Sequence, residues 1–388
     1  MPKLTFPRMG ESWRTFKMLL EDLGNEVVVP PRPSKRTLDL GVRYSPEFAC
    51  FPLKILTGTY LEAVEMGADT IVTTGGVGPC RAGEYAMLHQ KILKDLGYQI
   101  KMIVFEPPRL YPFNFIKNVW SLNKAHLSVK AIIAHIKRAW RKLQALDNAE
   151  KLSHVVRPRE LKRGATSRVY RKVLDWIDQA YTTEQIIEAE KAALDTLRSI
   201  PQDPLREVLR VGIVGEIYVL LEPASNLEIE ETMGNLGIEV ERSMFLTGWT
   251  RDNTWSETVE GMTVKEAASP YLPELVGGHG RDSIGNTILY AKRGFDGIVQ
   301  LAPFTCIPEI VARTILPKVS KDYDIPVLTF FLDEQTGKAG MNTRLEAFAD
   351  LMRRKKRLRK GDTPTEERGH IFFEEMSPVK RNVPVYEG

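Results

Sequence analysis

Three cysteines, Cys50, Cys80 and Cys306, are the only thiols in 388 residues, and their settings suit ligand chemistry. Cys80 stands in Gly75-Gly76-Val77-Gly78-Pro79-Cys80-Arg81, and Cys306 in Ala302-Pro303-Phe304-Thr305-Cys306-Ile307-Pro308. Glycine lets backbone N–H groups approach a bulky anion and hydrogen-bond to its sulfurs. Cys50, in Ala49-Cys50-Phe51-Pro52, opens an expected helix, and a helix N-terminus favours a thiolate. An odd count argues against a secreted disulfide framework, which pairs its cysteines. In a reducing compartment, free buried thiols, a catalytic thiol and metal ligands all remain open. Three thiolates suit a [4Fe–4S] cubane with one iron left for water, substrate or another ligand. The dispersed spacing lacks the compact run of ferredoxins, so spacing alone leaves unconnected thiols the commoner outcome. Zinc fits less well, because structural zinc usually takes four ligands from paired short motifs.

Other groups near these cysteines in sequence can carry charge or protons. Glu47 and Lys54 flank Cys50, Arg81 follows Cys80 with Glu84 a turn on, and Glu309 follows Cys306. Glu216 follows the strand ending Gly212-Ile213-Val214-Gly215, and His279 lies in Gly277-Gly278-His279-Gly280. Catalytic candidates are therefore Glu47, Arg81, Glu216 and His279. Carboxylates there can move protons, and Arg81 can hold a phosphate or balance cluster charge. Helix-capping or plain surface charge is the alternative for each. Asp69 and Asp296 read as turn-forming. Gly75-Gly76-x-Gly78 as a phosphate loop is the weakest option, since it is neither a Walker A sequence nor a dinucleotide fingerprint.

The elements that must position these residues form an α/β pattern. In residues 1–108, strands at Leu4–Pro7, Glu26–Val29, Thr70–Thr73 and Ile100–Phe105 alternate with helices. One helix is N-capped by Ser12 and ends at Gly24. The others begin near Pro52 and Glu84 and end at Gly67 and Gly97. Residues 109–205 show helical periodicity, with Val129, Ile132, Ile133, Ile136 and Trp140 on one face and Val173, Trp176, Ile177 and Tyr181 on another. Alternation resumes at Val208–Val214 over 206–335, and 336–388 carries a terminal helix, Thr343–Arg359, and a polar tail. Such alternation implies parallel strands in doubly wound sheets. The expected fold is thus two flavodoxin- or Rossmann-like lobes with a helical insertion between them.

The lobes also resemble each other, as an internal duplication would. Leu23-Gly24-x-Glu26-Val27 recurs as Leu236-Gly237-x-Glu239-Val240, and Gly67-x-Asp69-x-Ile71-Val72 as Gly294-x-Asp296-x-Ile298-Val299. Cys80 lies 13 residues after Gly67 and Cys306 lies 12 after Gly294. Each thus falls beyond the carboxyl end of a buried strand, where open parallel sheets bind ligands. His279 falls near where the counterpart of Cys50 belongs.

Net charge is only +4, yet between Phe115 and Lys172 15 Lys/Arg face three Asp/Glu. A second basic run is Arg353-Arg354-Lys355-Lys356-Arg357. A solvated helix face explains such charge as readily as a docking surface does. Nucleic acid is not the expected partner, since no recognised binding module accompanies the charge. No apolar run approaches the roughly 18 residues of a membrane span, and the start MPKLTFPRMGES lacks a leader's apolar region. A cytoplasmic location is expected.

Glu47-Phe-Ala-Cys50-Phe-Pro52-Leu-Lys54, Gly67-Ala-Asp69 and Gly75–Cys80 together resemble the 2-hydroxyacyl-CoA dehydratase superfamily. So do Gly212–Tyr218, Asn226, Gly294-x-Asp296-Gly297 and Pro303-Phe304-x-Cys306. The likeness is greatest to its dehydratase D-component-like, CoA-protein-activase-related branch. The resemblance implies one oxygen-sensitive [4Fe–4S] cluster on Cys50, Cys80 and Cys306, suited to anaerobic work. It implies low-potential electrons from a separate ATP-hydrolysing iron–sulfur activator. It also implies pairing as a homodimer or with a related subunit, and an acyl-CoA or small-molecule substrate. The implied role is dehydratase-like or that of an ATP-dependent reductase component. A non-catalytic iron–sulfur carrier or scaffold is the alternative. The chain departs from the dehydratases in being a single short subunit with no recognisable CoA pocket.

Overall fold

The computed structural model describes residues 2–76, 79–108, 110–248 and 262–360. The tail beyond Gly361 lies outside them. The fold is α/β with two lobes, each built on a four-stranded, all-parallel sheet. The first sheet has β1 (Lys3–Thr5), β2 (Glu26–Val27), β3 (Thr70–Thr74) and β4 (Lys101–Phe105) in the order β2-β1-β3-β4. The second has β5 (Leu209–Gly215), β6 (Ile238–Arg242), β7 (Gly297–Pro303) and β8 (Val327–Leu332) in the matching order β6-β5-β7-β8.

The repeat extends to single hydrogen bonds. An Asp69 carboxylate oxygen accepts from the Lys3 amide at 3.1 Å, and one of Asp296 from the Arg210 amide at 2.8 Å. In each lobe the aspartate before the third strand pins the backbone at the first. Gly24, Gly67, Gly237 and Gly294 take φ of +86°, +98°, +78° and +72°, the left-handed region that ends a helix and turns the chain into a strand.

In the first lobe, α1 (Trp13–Asp22) follows a 3-10 turn, and Ser12 belongs to that turn. Its hydroxyl donates to the Met9 carbonyl at 2.6 Å, so Ser12 is not the side-chain N-cap its sequence position suggests. A helix without a counterpart in the sequence reading, α2 (Lys35–Tyr44), is fixed by a capping box between Ser34 and Thr37. It crosses α3 (Phe51–Glu65) at two glycines. A Cβ on Gly41 would lie 1.9 Å from the Lys54 carbonyl oxygen, and one on Gly58 1.9 Å from that of Thr37.

Residues Phe51 to Val64 of α3 are all buried. A helix buried on every side needs cover on every side, and both lobes supply it. Ile55, Tyr60 and Leu61 join one core with Val211 and Ile213 of β5, Val299 and Leu301 of β7, and Phe348 of the helix Lys338–Lys360. This core welds the lobes together and fixes Cys50, at the head of α3, at their junction.

After α4 (Tyr85–Asp95), four helices fill the middle of the chain: α5 (Pro112–Leu122), α6 (Val129–Val156), α7 (Ala165–Gln179) and α8 (Thr183–Arg198). Val173 and Ile177 are buried with Ile186 and Leu197 in their own core. The α6 stripe divides, however. Ile132 is buried, whereas Val129, Ile133 and Ile136 are exposed. The sequence places all four on one face, and the fold covers only Ile132.

Candidate functional site

In sheets of order 2-1-3-4, consecutive crossovers diverge between the first and third strands, and the crevice opens beyond their carboxyl ends. Cys80 follows β3. Cys306 follows β7, and Glu216 follows β5. The lobes bring the two crevices together, so one cavity is lined by Cys50, Cys80, Cys306, Arg81, Tyr85 and Glu216. Residues up to 256 apart in sequence thus meet at the lobe junction.

Each cysteine heads a helical turn. Cys50 precedes α3, Cys80 the 3-10 turn Arg81–Glu84, and Cys306 the helix Ile307–Asp322. Extended φ values of −67°, −72° and −73° place each thiol where backbone N–H groups point outward. Prolines at 52 and 308, in the first turn of their helices, cost no hydrogen bond there. His279 occupies the place Cys50 holds in the first lobe, capping the helix Gly280–Lys292 ahead of β7. The pseudo-symmetric set is therefore Cys50 and Cys80 from one lobe, His279 and Cys306 from the other.

Arg81 ties the three cysteine loops together. Its guanidinium donates to the Phe48 carbonyl at 2.8 Å, to the Thr305 carbonyl, and to Thr305 Oγ1 at 3.2 Å. Thr305 Oγ1 also donates to the Phe48 carbonyl at 3.3 Å. Thr305 holds φ of +62°, an outlier for a β-branched residue, beside Cys306. The Gly277-Gly278 pair closes the cradle from the second lobe. A Cβ on Gly277 would sit 2.7 Å from the Cys80 amide nitrogen, and one on Gly278 2.9 Å from Pro308 Cγ and 3.6 Å from Cys80 Sγ. Only glycine fits both places.

The surroundings of all three thiols disfavour the thiolate form. Burial pushes the Cys50 and Cys80 thiols up, and the Glu216 carboxylate adds to it, while Arg81 works the other way. Cys306 is pushed up strongly by burial, with Glu216 and Glu309 adding. Cys50 Sγ shares a hydrogen bond of 2.5 Å with Tyr85 Oη. Burial pushes the Tyr85 phenol up as well. These thiols become thiolates when a strong positive charge sits among them, as a bound metal centre does.

Glu216 caps the short helix α9 (Ile217–Leu221). One carboxylate oxygen accepts from the Tyr218 and Val219 amides at 3.0 and 3.1 Å. Its other oxygen has no hydrogen-bond donor among the described residues. Behind it, His279 Nδ1 and Asp282 Oδ2 lie 3.2 Å apart. Burial opposes the imidazolium, but Asp282, Glu216 and Glu309 outweigh it and leave His279 raised. Glu309 is fully buried and accepts from the Ser283 hydroxyl at 3.0 Å and from Gln300 Nε2 at 2.9 Å. Burial pushes its carboxyl up to about 7.

Of the sequence candidates, Arg81 and Glu216 line the cavity, and His279 stands in electrostatic reach of Glu216. Glu47 and Glu84 are exposed. Lys54 is buried and pairs with Glu334 at 3.0 Å, joining α3 to the loop after β8. Sequence reasoning missed Tyr85, Thr305 and Ser283. Tyr85 had a signal in its spacing of five from Cys80. Thr305 depends on a contact between lobes, and Ser283 on the packing of two helices of the second lobe.

The space among the thiols is about 30 Å³, enough for water but not for a cubane. The three thiols are soft donors, and with the glycine-lined backbone beside them they are of the kind that would suit an iron–sulfur centre. A cluster held there would need the thiols to stand further apart than they do here. A separate trio, Glu150, His154 and Glu230, is close enough for a single ion, with ligand atoms within 4.8 Å. Arg242 already fills that role, reaching Glu150 at 2.9 Å and Glu230 at 3.1 Å.

Residues 4–73 match the family described as the CoA enzyme activase uncharacterised domain. The matched stretch runs from β1 into β3 and includes Cys50. No curated protein matches the chain. A solved structure described as SsGBP in complex with GDP aligns over 91% of this chain and 99% of its own, at 11% identity and a TM-score of 0.21. That likeness is too slight to carry an argument. No helix among the described residues is long and apolar enough to cross a membrane.

Proposed function

We propose that the chain is a cytoplasmic [4Fe–4S] protein whose cluster is held by Cys50, Cys80 and Cys306, and that it accepts low-potential electrons from an ATP-hydrolysing activator for reductive or dehydration chemistry. The observation that carries the proposal is the meeting of three thiols, from three loops of two lobes, at the heads of three helical turns around one cavity. The resemblance of the cysteine motifs to the dehydratase superfamily supports it, as does the match of residues 4–73 to an activase-related domain.

A cluster with one iron free of protein thiolate supplies single electrons and a Lewis-acid position. The chain's own residues do the rest. Arg81 fixes the loop spacing and places a positive charge beside the thiolates. The glycine pair at 277–278 allows close approach. Glu216, with an uncommitted oxygen at the cavity, holds or passes a proton there, and His279 balances its charge.

The activator's docking surface is proposed on α5 and α6. Phe113, Ile116 and Trp120 are exposed on one face of α5, and Val129, Ile133 and Ile136 are exposed on α6. Lys117, Lys124, Lys130 and Lys137 lie among them. Apolar anchors within a basic rim suit a protein partner with an acidic face.

The test is anaerobic isolation followed by iron and sulfide analysis and EPR. A brown chain with about four irons, reduced by an activator only in the presence of ATP, supports the proposal. A colourless chain that takes up no iron on reconstitution refutes it.

A further inference from the structure

Away from the cysteines, a polar cavity of about 430 Å³ lies where the loop after β1 meets α6, α7 and the segment around α10 (Ile229–Asn235). That volume is in the range of small-molecule sites. Every carboxylate lining it is already engaged. Arg14 holds Glu11 and Asp175. Arg32 and Lys338 hold Glu228. Arg242, from outside the cavity, holds Glu150 and Glu230. The Ser167 hydroxyl donates to Glu231, and the Gly10 and Ala224 amides donate to Glu222.

The donors are not all engaged. Arg157, only 5% exposed, lines the cavity with its Nε unpartnered. Its guanidinium donates no hydrogen bond to any described residue. Its stem is fixed against Gly234, where an added Cβ would come 2.7 Å from Arg157 Cδ. Tyr170 lines the same cavity with no hydrogen-bond partner for its hydroxyl among the described residues. Arg171, exposed at the rim, is likewise without a partner among them. A buried guanidinium with unmet donors is costly, and Glu230 eases its charge without accepting from it.

We propose that this cavity binds an oxyanionic small molecule, with a carboxylate or phosphate group seated on the Arg157 guanidinium and the Tyr170 hydroxyl. The planar fork of arginine matches both groups. The inference does not rest on the cluster, because the cavity shares no lining residue with the cysteine site.

Isothermal titration of the full chain with inorganic phosphate and, separately, with succinate tests it. Saturable one-to-one binding of either probe is expected, and the probe that binds identifies the group. Arg157→Gln and Tyr170→Phe should each weaken it at least tenfold. Failure of both probes to saturate at millimolar concentration overturns the proposal, as does unchanged affinity in the variants. Should Arg157→Gln not fold, Tyr170→Phe decides alone, and wild-type affinity in it overturns the assignment.

Discussion

Replacing Arg81 by methionine should loosen the cysteine site before it unfolds the protein. The guanidinium donates three hydrogen bonds, to Phe48 ahead of Cys50 and to Thr305 ahead of Cys306, while its own backbone adjoins Cys80. Charged hydrogen bonds contribute ~1.5–3 kcal/mol each when buried, and Arg81 is half-buried, so the loss should be about 2–3 kcal/mol in total. Methionine keeps much of the apolar stem and removes only the fork. The expected outcome in denaturant is a lower midpoint for the metal-free chain with an unchanged slope. In the reconstituted chain, iron should leave faster to a chelator, while Arg81→Lys, with charge but no fork, should fall between. The reasoning fails if Arg81→Met retains iron as long as wild type does, because the three loops would then be held by something else.

The remaining predictions concern the surroundings of the site. Glu309 has its carboxyl raised to about 7 from 4.5, so the folded metal-free chain binds its proton more tightly than the unfolded chain. Its stabilising contribution is therefore complete below pH 4.5 and lost as pH rises toward 7, by at most about 3 kcal/mol. Glu309→Gln should flatten that slope in pH-dependent unfolding, and an equally steep slope would count against the assignment. Gly278→Ala puts a Cβ 2.9 Å from Pro308 at φ of +46°, so it should lower iron retention while far-ultraviolet circular dichroism stays native. Arg242→Met strands the Glu150 and Glu230 carboxylates and should cost ~3–5 kcal/mol in chemical denaturation. Adding Glu150→Gln and Glu230→Gln should recover most of it.

The strands and their helices were legible because glycine marks the helix ends and the apolar runs between are short and β-branched. Gly24, Gly67, Gly237 and Gly294 all take the left-handed turn their motifs imply. The internal repeat was legible for the same reason, and the two sheets share one strand order. Helix α2 was hidden because Pro30-Pro31-Arg32-Pro33 reads as loop, and its buried positions are Thr37 and Gly41, not large apolar residues. The α6 face was legible from its periodicity, but periodicity does not report what covers a face, and Val129, Ile133 and Ile136 are exposed. At the site, residues on a sheet's ligand edge were readable from strand ends. Thr305 and the polar cavity were not, since each depends on which parts of the second lobe meet the rest of the chain, and Tyr85 was marked only by its spacing from Cys80.

Iron and sulfide content with EPR, measured anaerobically on wild type and on Cys80→Ser, tests the central claim most directly. Cys80 is the half-exposed thiol, so its replacement least disturbs the fold. Three shared ligands predict about four irons per wild-type chain and a lost or spectroscopically altered cluster in the variant. An unaltered cluster in Cys80→Ser would contradict the account.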